Sequence, residues 1–316
     1  MRFTEQEMGE NVREIREDEN RTVFHVKGDS GEGLMTLYQV FKGCYLMYND
    51  FHMKECCSGF KPSAQIFCID HCREGRIEWC VDRNRYIYVE SGDMQVNSRE
   101  QHSSKFLFPL NHYHGLTIGF DIAEAEDSLL HVMEGFSVDI KKLRHKFCPD
   151  DHSFIMRAGA QISHIFSELY DLPEQVRLPY FKIKVLELLL FLETLDVPAG
   201  GEERSYFYKA QVDKVKEIAA LLTGNLENWY TLEELSEQFS FPLTSLKQCF
   251  KGVYGCSVAT YMREYRMNAA AVMLKNTQDS VISIAARVGY SNPGKFASAF
   301  RSVLGVTPTE YRKTFD

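Results

Sequence analysis

Two stretches near the C-terminus of this chain repeat one another at an offset of fifty residues. Glu234-Leu-Ser-Glu-Gln-Phe through Leu246-Lys-Gln-Cys-Phe-Lys-Gly-Val-Tyr-Gly255 recurs as Ser283-Ile-Ala-Ala-Arg-Val through Phe296-Ala-Ser-Ala-Phe-Arg-Ser-Val-Leu-Gly305, slipping by one residue in the turn. Each copy reads as a short helix, a tight turn and a second helix. Thr231 and Glu234 form a capping-box start, Phe239-Ser-Phe makes the turn, and Pro242 sits where a helix tolerates proline. In the second copy Gly289-Tyr-Ser-Asn is the turn, with Asn292 as N-cap and Pro293 at the first helical position. Leu246, Phe250 and Val253, and likewise Phe296, Phe300 and Val303, fall on one face and point to a core. Thr244, Lys247, Gln248 and Lys251 then face outward, as do Gly294, Lys295, Ser298 and Arg301. A short helix pair with a polar, cation-bearing outer face has helix-turn-helix geometry, here at about 231–253 and 281–303. Between the copies, Ser257 to Lys275 reads as one helix of roughly 28 Å. Such a strut sets two outer helices about one DNA turn, ~34 Å, apart.

Charge points the same way. The 316 residues carry a net charge of −8, which by itself argues against a nucleic-acid partner. From residue 207 onward, however, Lys and Arg number 13 against 10 Asp and Glu, and from residue 240 they number 10 against 4. A basic C-terminal segment on an acidic body suggests one module that meets phosphates and one that does not.

Residues 212–313 resemble the AraC/XylS family of bacterial transcription regulators. The matching residues include Leu235-Ser, Gly255-x-Ser-Val, Tyr261-Met-Arg, Ala269-Ala, Ile284-Ala, Val288-Gly-Tyr, Phe300-Arg and Gly305-Val-Thr-Pro-Thr-Glu-Tyr-Arg. Leu246-Lys-Gln-x-Phe-Lys-x-Val-Tyr-Gly and Asn292-Pro-Gly-Lys-Phe-Ala-x-Ala-Phe-Arg look closest to its pyochelin-regulator (PchR-like) branch. The resemblance implies a sequence-specific regulator, activator or repressor, reading direct-repeat sites on double-stranded DNA, with RNA polymerase as a partner of an activator. Carried over by position, Thr244, Lys247 and Gln248 would read bases, because Lys donates to guanine and Gln pairs with adenine. Lys251 and Arg301 would contact phosphates, which position without specifying. Where the family often has long polar residues this chain has Gly294 and Ser298, leaving Asn292, Lys295 and Ser298 as candidate contacts of the second copy. A sensor domain fused to the reader is also implied.

The N-terminal half fits that slot. Residues 22–120 read as short strands (22–26, 33–41, 45–56, 64–69, 75–81, 85–89, 104–110 and 115–120) punctuated by Gly, Pro, Asn and Asp. This predicts a β-sandwich or cupin-like barrel. Residues 122–195 read as helical, and the last of these helices carries more apolar surface than one face needs, which suits packing on a partner subunit. Pro198 to Arg204 reads as a flexible linker. The predicted fold class is α+β: a sensor and dimerisation domain at 1–197, a linker at 198–206 and an all-α double helix-turn-helix module at 207–316. The expected assembly is a homodimer.

A small-molecule effector is expected in the β domain, and the branch resemblance implies a siderophore-like or aromatic one. Its candidate walls are Tyr38, Tyr45, Tyr48, Phe67, Trp79, Tyr86 and Tyr88. Six of the nine cysteines lie between residues 44 and 80, and Cys56-Cys57 or Cys68-x-x-x-Cys72 with His71 offers an alternative, a metal- or redox-responsive regulator. Strand cysteines are more commonly small buried hydrophobes. His112-x-His114 would point two imidazoles to one face, but the Glu that completes metal-binding cupins is missing. With no Ser-His-Asp set, P-loop or G-x-G-x-x-G, no enzyme, cofactor or metal is expected. The polar, acidic N-terminus lacks an apolar signal region and no run approaches the ~18 apolar residues of a membrane span, so a cytoplasmic location away from membranes is expected.

Overall fold

The computed structural model describes residues 3–18, 20–60, 65–82, 84–99, 105–149, 153–197 and 206–315, with the backbone alone at 6 and 80–82. Of the predicted linker, 198–205 lies outside these residues. The chain divides into two compact units, Met1–Asp82 with Tyr86–Tyr206, and Arg83–Arg85 with Phe207–Asp316.

The N-terminal unit begins with a capped turn of helix, α1 (Glu5–Met8), then runs through β1 (Val12–Asp18), β2 (Arg21–Gly28), β3 (Gly31–Phe41), β4 (Cys44–His52), β5 (Glu55–Cys57), β6 (Ile66–Asp82), β7 (Arg85–Glu90), β8 (Met94–Asn97), β9 (Lys105–Leu107) and β10 (Tyr113–Asp121). These make one curled antiparallel sheet in the order β1-β2-β3-β4-β10-β6-β7, with β8 and β9 also pairing on β6 and β5 on β9. Side chains alternate across β4. Cys44, Leu46 and Tyr48 join the core on the outer face, whereas Tyr45, Met47 and Phe51 join the core of the inner face. The outer face is covered by α2 (Ile122–Val132), α3 (Ile140–Phe147), α4 (Ala160–Ser167) and α5 (Glu174–Thr194), whose Leu129, Leu143, Phe166 and Leu188 pack on Phe67, Leu116 and Ile118. A short β11 (Phe154–Met156) interrupts the helices and pairs with β8.

Several sequence expectations need correction. The two strands read at 64–69 and 75–81 are a single β6, which passes through Gly75 at φ +85°. Arg73 has no partner in the register with β10, so a bulge absorbs the turn that the glycine suggested. Of the strand read at 104–110, residue 104 lies outside the described residues, and among the rest Lys105–Leu107 is strand. Strands β1, β8 and β11 leave no strand signal in the sequence. β1 (VREIRED) is charged and largely exposed beyond its first residue, while β8 is four residues buried on both faces, so neither alternates.

The C-terminal unit is all helical after residue 208: α6 (Lys209–Gly224), α7 (Leu232–Gln238), α8 (Leu243–Tyr254), α9 (Val258–Asn276), α10 (Val281–Arg287), α11 (Pro293–Leu304) and α12 (Pro308–Lys313). The predicted caps are present. Thr231 and Glu234 close a capping box at α7, Asn292 accepts from the Lys295 N–H, and Pro293 opens α11. Helix α9 has 19 residues, about 28 Å, and packs against α6 and α8 of the first copy and α10 to α12 of the second. Among the described residues no helix is long and apolar enough to cross a membrane.

One contact ties the two halves of this unit. Arg266 of α9 is 3% exposed, and its guanidinium donates to the carbonyls of Leu226 (3.2 Å) and Asn228 (2.7 Å) in the α6–α7 loop. It lies 3.8 Å from the centroid of the Trp229 ring, whose Nε1 donates to the Gly289 carbonyl in the second turn at 2.6 Å. Gly289 has φ +82°, and a Cβ there would stand 2.5 Å from the Leu226 carbonyl oxygen, so glycine is required. Arg266→Ala leaves two carbonyls without their donor and removes the cation–π contact, an expected loss on the order of 2–4 kcal/mol. A urea midpoint of the C-terminal transition equal to that of the wild type would contradict this.

Candidate nucleic-acid interface and N-terminal cavity

The second helices of the two repeats, α8 and α11, are twelve residues each. Each ends on a left-handed glycine, Gly255 at φ +80° and Gly305 at φ +79°, whose N–H donates to the carbonyl of Lys251 or Arg301. Leu246, Phe250 and Val253 are fully buried in the first copy, and Phe296 and Phe300 in the second, where Val303 is half-buried. The opposite faces meet solvent: Thr244, Lys247, Gln248 and Lys251 on α8, and Asn292, Gly294, Lys295, Ser298 and Arg301 on α11 are all exposed. Neither helix contains an Asp or Glu, and together they carry four cations. Among the described residues no ion pair engages Lys247, Lys251, Lys295 or Arg301. Asn292 differs from the rest because its Oδ1 accepts the Lys295 backbone N–H at 2.9 Å, leaving only its amide NH2 free for a ligand.

In the N-terminal unit the curled sheet encloses a cavity of about 130 Å³. Its walls are largely aromatic, and Phe51, Phe108 and Tyr113 stack with ring centroids 5.5–6.3 Å apart. A polar network forms part of the lining. Asp70 accepts from Arg99 (2.6 Å), Thr117 (2.6 Å) and Asn97 (2.7 Å), and Asn49 donates to Thr117 at 3.2 Å. The Asp70 charge is thus balanced by Arg99, which makes a net-neutral polar patch in an apolar room. Of the seven aromatic residues named from sequence, Tyr45 and Trp79 line this cavity. Tyr38 and Tyr48 line a groove on the other face of the sheet, Phe67 lies in the helix-side core, and Tyr88 is buried donating to Glu78 at 2.6 Å. Tyr86 lines neither space. The alternation of Tyr45, Met47, Asn49 and Phe51 along β4 was the legible signal for the cavity, whereas Asp70 and Arg99 meet only through the β6–β8 pairing.

The cysteines read as core residues. Cys44, Cys68 and Cys72 are essentially fully buried, and burial pushes their thiols up; Cys56 is likewise pushed up to about 11. That shift opposes the thiolate that metals and oxidants require, which leaves the cysteine-sensing alternative without support. Cys57 is exposed, and the side chain of Cys80 lies outside the described residues. His71, between Cys68 and Cys72, stacks on Phe166 at 4.3 Å and shares a 2.9 Å hydrogen bond with Tyr170. His112 and His114 have separate surroundings: His114 packs edge-on against Tyr170, while His112 stacks on His52.

Residues 235–314 match the family described as a helix-turn-helix domain. The HTH-type transcriptional activator RhaR of Mannheimia succiniciproducens is 29% identical over 126 residues, 40% of this chain and 46% of that protein. The HTH-type transcriptional activator AarP of Providencia stuartii is 30% identical over 98 residues, 31% of this chain and 73% of that protein. Among solved structures, the C-terminal domain of AraT, a response regulator from Geobacillus stearothermophilus, is 29% identical with a TM-score of 0.31, covering 32% of this chain and 84% of that one. The chain therefore spans less than half the length of RhaR.

Burial holds His71 neutral, pushing its pKa down from 6.5 to about 4. The unfolded chain takes up a proton there below pH 6.5 and the folded chain does not, so stability falls as pH drops from 6.5 and levels off below about 4. The expected contribution is up to about 3 kcal/mol. Urea midpoints from pH 7 to pH 4 check it: His71→Phe should flatten this part of the profile, and an unchanged slope contradicts the assignment.

Proposed function

The chain belongs to the AraC/XylS family of helix-turn-helix transcription regulators, and from that premise we propose that it is a ligand-responsive regulator whose α8 and α11 enter two successive major grooves on one face of double-stranded DNA. The observation that carries this reading is the pair of matched, acid-free helices on one 19-residue strut. In it, Thr244, Lys247 and Gln248 read bases in the first half-site, and Lys295 and Ser298 in the second. Lys251 and Arg301 hold phosphates, and the Asn292 amide adds a contact at the start of α11. Because Gly294 and Ser298 present little to a base edge, the α8 half-site carries more of the specificity. Residues 207–316 are the DNA-binding domain, 198–206 the linker and 1–197 the sensor and dimerisation domain.

A homodimer through α5 is supported by Val176, Ile183 and Leu190, exposed at 48%, 62% and 46% and spaced seven residues apart, the repeat of a coiled-coil seam. The inner cavity is the proposed effector site. Its volume favours a compact ligand over a siderophore-like one, since about 150 Å³ suffices for a benzene ring. The protein acts in the cytoplasm, where it meets DNA and, as an activator, RNA polymerase.

Selection of duplexes from a random library by the full-length protein tests the central reading. Two half-sites about ten base pairs apart are expected; a single enriched half-site contradicts it. On the selected site, Lys247→Ala should relax preference at one position, costing about 1–3 kcal/mol there. Arg301→Ala should instead weaken all sequences evenly and lower the salt slope by about one. Identical behaviour of the two variants would overturn the division between reading and clamping. Ile183→Glu should shift the protein from dimer to monomer in sedimentation; an unchanged dimer removes α5 from the interface.

A further inference from the structure

Outside the cavity, the end of β4 and the approach to β10 bring together residues that the DNA-reading function does not use. One ring nitrogen each of His52 and His112 and a carboxylate oxygen of Asp50 lie within 4.8 Å of one another. His52 Nε2 stands 3.2 Å from Asp50 Oδ1, and the two imidazole rings are stacked with centroids 5.0 Å apart. Glu74 of β6 adds a second carboxylate, its Oε2 3.6 Å from His112 Nε2. The other ring nitrogen of His112, Nδ1, is buried and has no hydrogen-bond partner among the described residues.

We propose that Asp50, His52 and His112, with Glu74 at the edge, form a binding site for a divalent first-row transition ion of the zinc class. Two imidazoles with carboxylates suit zinc, nickel or copper and disfavour magnesium and calcium, which take oxygen donors. Bonds of about 2.0–2.1 Å in a tetrahedron place donors about 3.4 Å apart. The 3.2 Å pair meets this already, and closing the rest of the 4.8 Å spread asks only for adjustment of the half-exposed Asp50 and exposed His52 side chains. The scaffold is firm. Asp50 and His52 flank Phe51, His112 precedes Tyr113, and Phe51 and Tyr113 are register partners across β4 and β10. Opposite them, Gly75 at φ +85° lets the His112 carbonyl approach, since a Cβ there would stand 2.1 Å from that oxygen. A bound ion would bridge β4 to the segment leading into β10, on the reverse of the Phe51–Tyr113 pair that lines the cavity. The site is independent of how the C-terminal unit reads DNA.

The test uses the full-length protein stripped of metal with a chelator. Calorimetric titration with Zn²⁺ should give one ion per chain, and Co²⁺ should develop the visible bands of a four- or five-coordinate ion. His52→Gln, at an exposed position, should weaken Zn²⁺ binding by at least about 10-fold, and His52→Gln with His112→Gln should abolish the Co²⁺ bands. Cys57→Ser should leave both unchanged. The melting temperature of each variant in chelator shows that it is folded; if the double variant is not, Asp50→Asn with His52→Gln replaces it. Absence of a stoichiometric ion, or binding that survives in the folded histidine variants, overturns the site.

Discussion

The C-terminal unit depends on one buried guanidinium. Arg266 sits midway along α9, satisfies two carbonyls of the α6–α7 loop and lies under Trp229, which in turn holds the turn of the second repeat through Gly289. Away from the shared strut the two copies also meet where Leu226 packs on the second core and Trp229 on Tyr290. All three contacts of the Arg266 guanidinium lie in the α6–α7 loop, and the second copy is reached through Trp229 and Gly289, so the link between the copies is made by tertiary structure. Charged hydrogen bonds out of water are strong when fully paired and expensive when one partner is lost, which makes this contact a sharp constraint.

The N-terminal unit solves a different problem with the same economy of parts. Its sheet is apolar on both faces, and each face has its own cover. Helices α2 to α5 close the outer face around Leu46, Leu116 and Ile118, while the inner face curls over its own aromatic residues and leaves a small room. The Asp70–Arg99 pair is tolerable there because Thr117 and Asn97 satisfy the remaining carboxylate lone pairs.

How much of this was legible in the chain differs between the units for physical reasons. Helix caps, turn glycines and 3.6-residue periodicity are local, so both repeats, the turn at Gly289 and the outward faces of α8 and α11 could be read directly. The Arg266–Trp229–Gly289 contact spans residues far apart in sequence and left no local mark; Arg266 reads as another cation on a polar helix. In the sheet, a one-residue difference in register reverses every side chain, which is why Tyr38 and Tyr48 belong to the other face while Tyr45 and Trp79 meet the cavity. Gly75 signals a turn but serves a bulge. Alternation along the chain puts His112 and His114 on one face, whereas strand pairing brings His112 to His52.

The central claim is that α9 fixes the distance between two reading helices. It is tested most directly by measuring affinity for the selected site and for the same site with five base pairs inserted between its halves. The insertion rotates one half-site to the far side of the duplex. Affinity should drop to that of a single half-site, with full recovery excluded at any salt concentration. Undiminished binding to the spaced site would contradict a rigid strut and leave α8 and α11 as independently tethered readers.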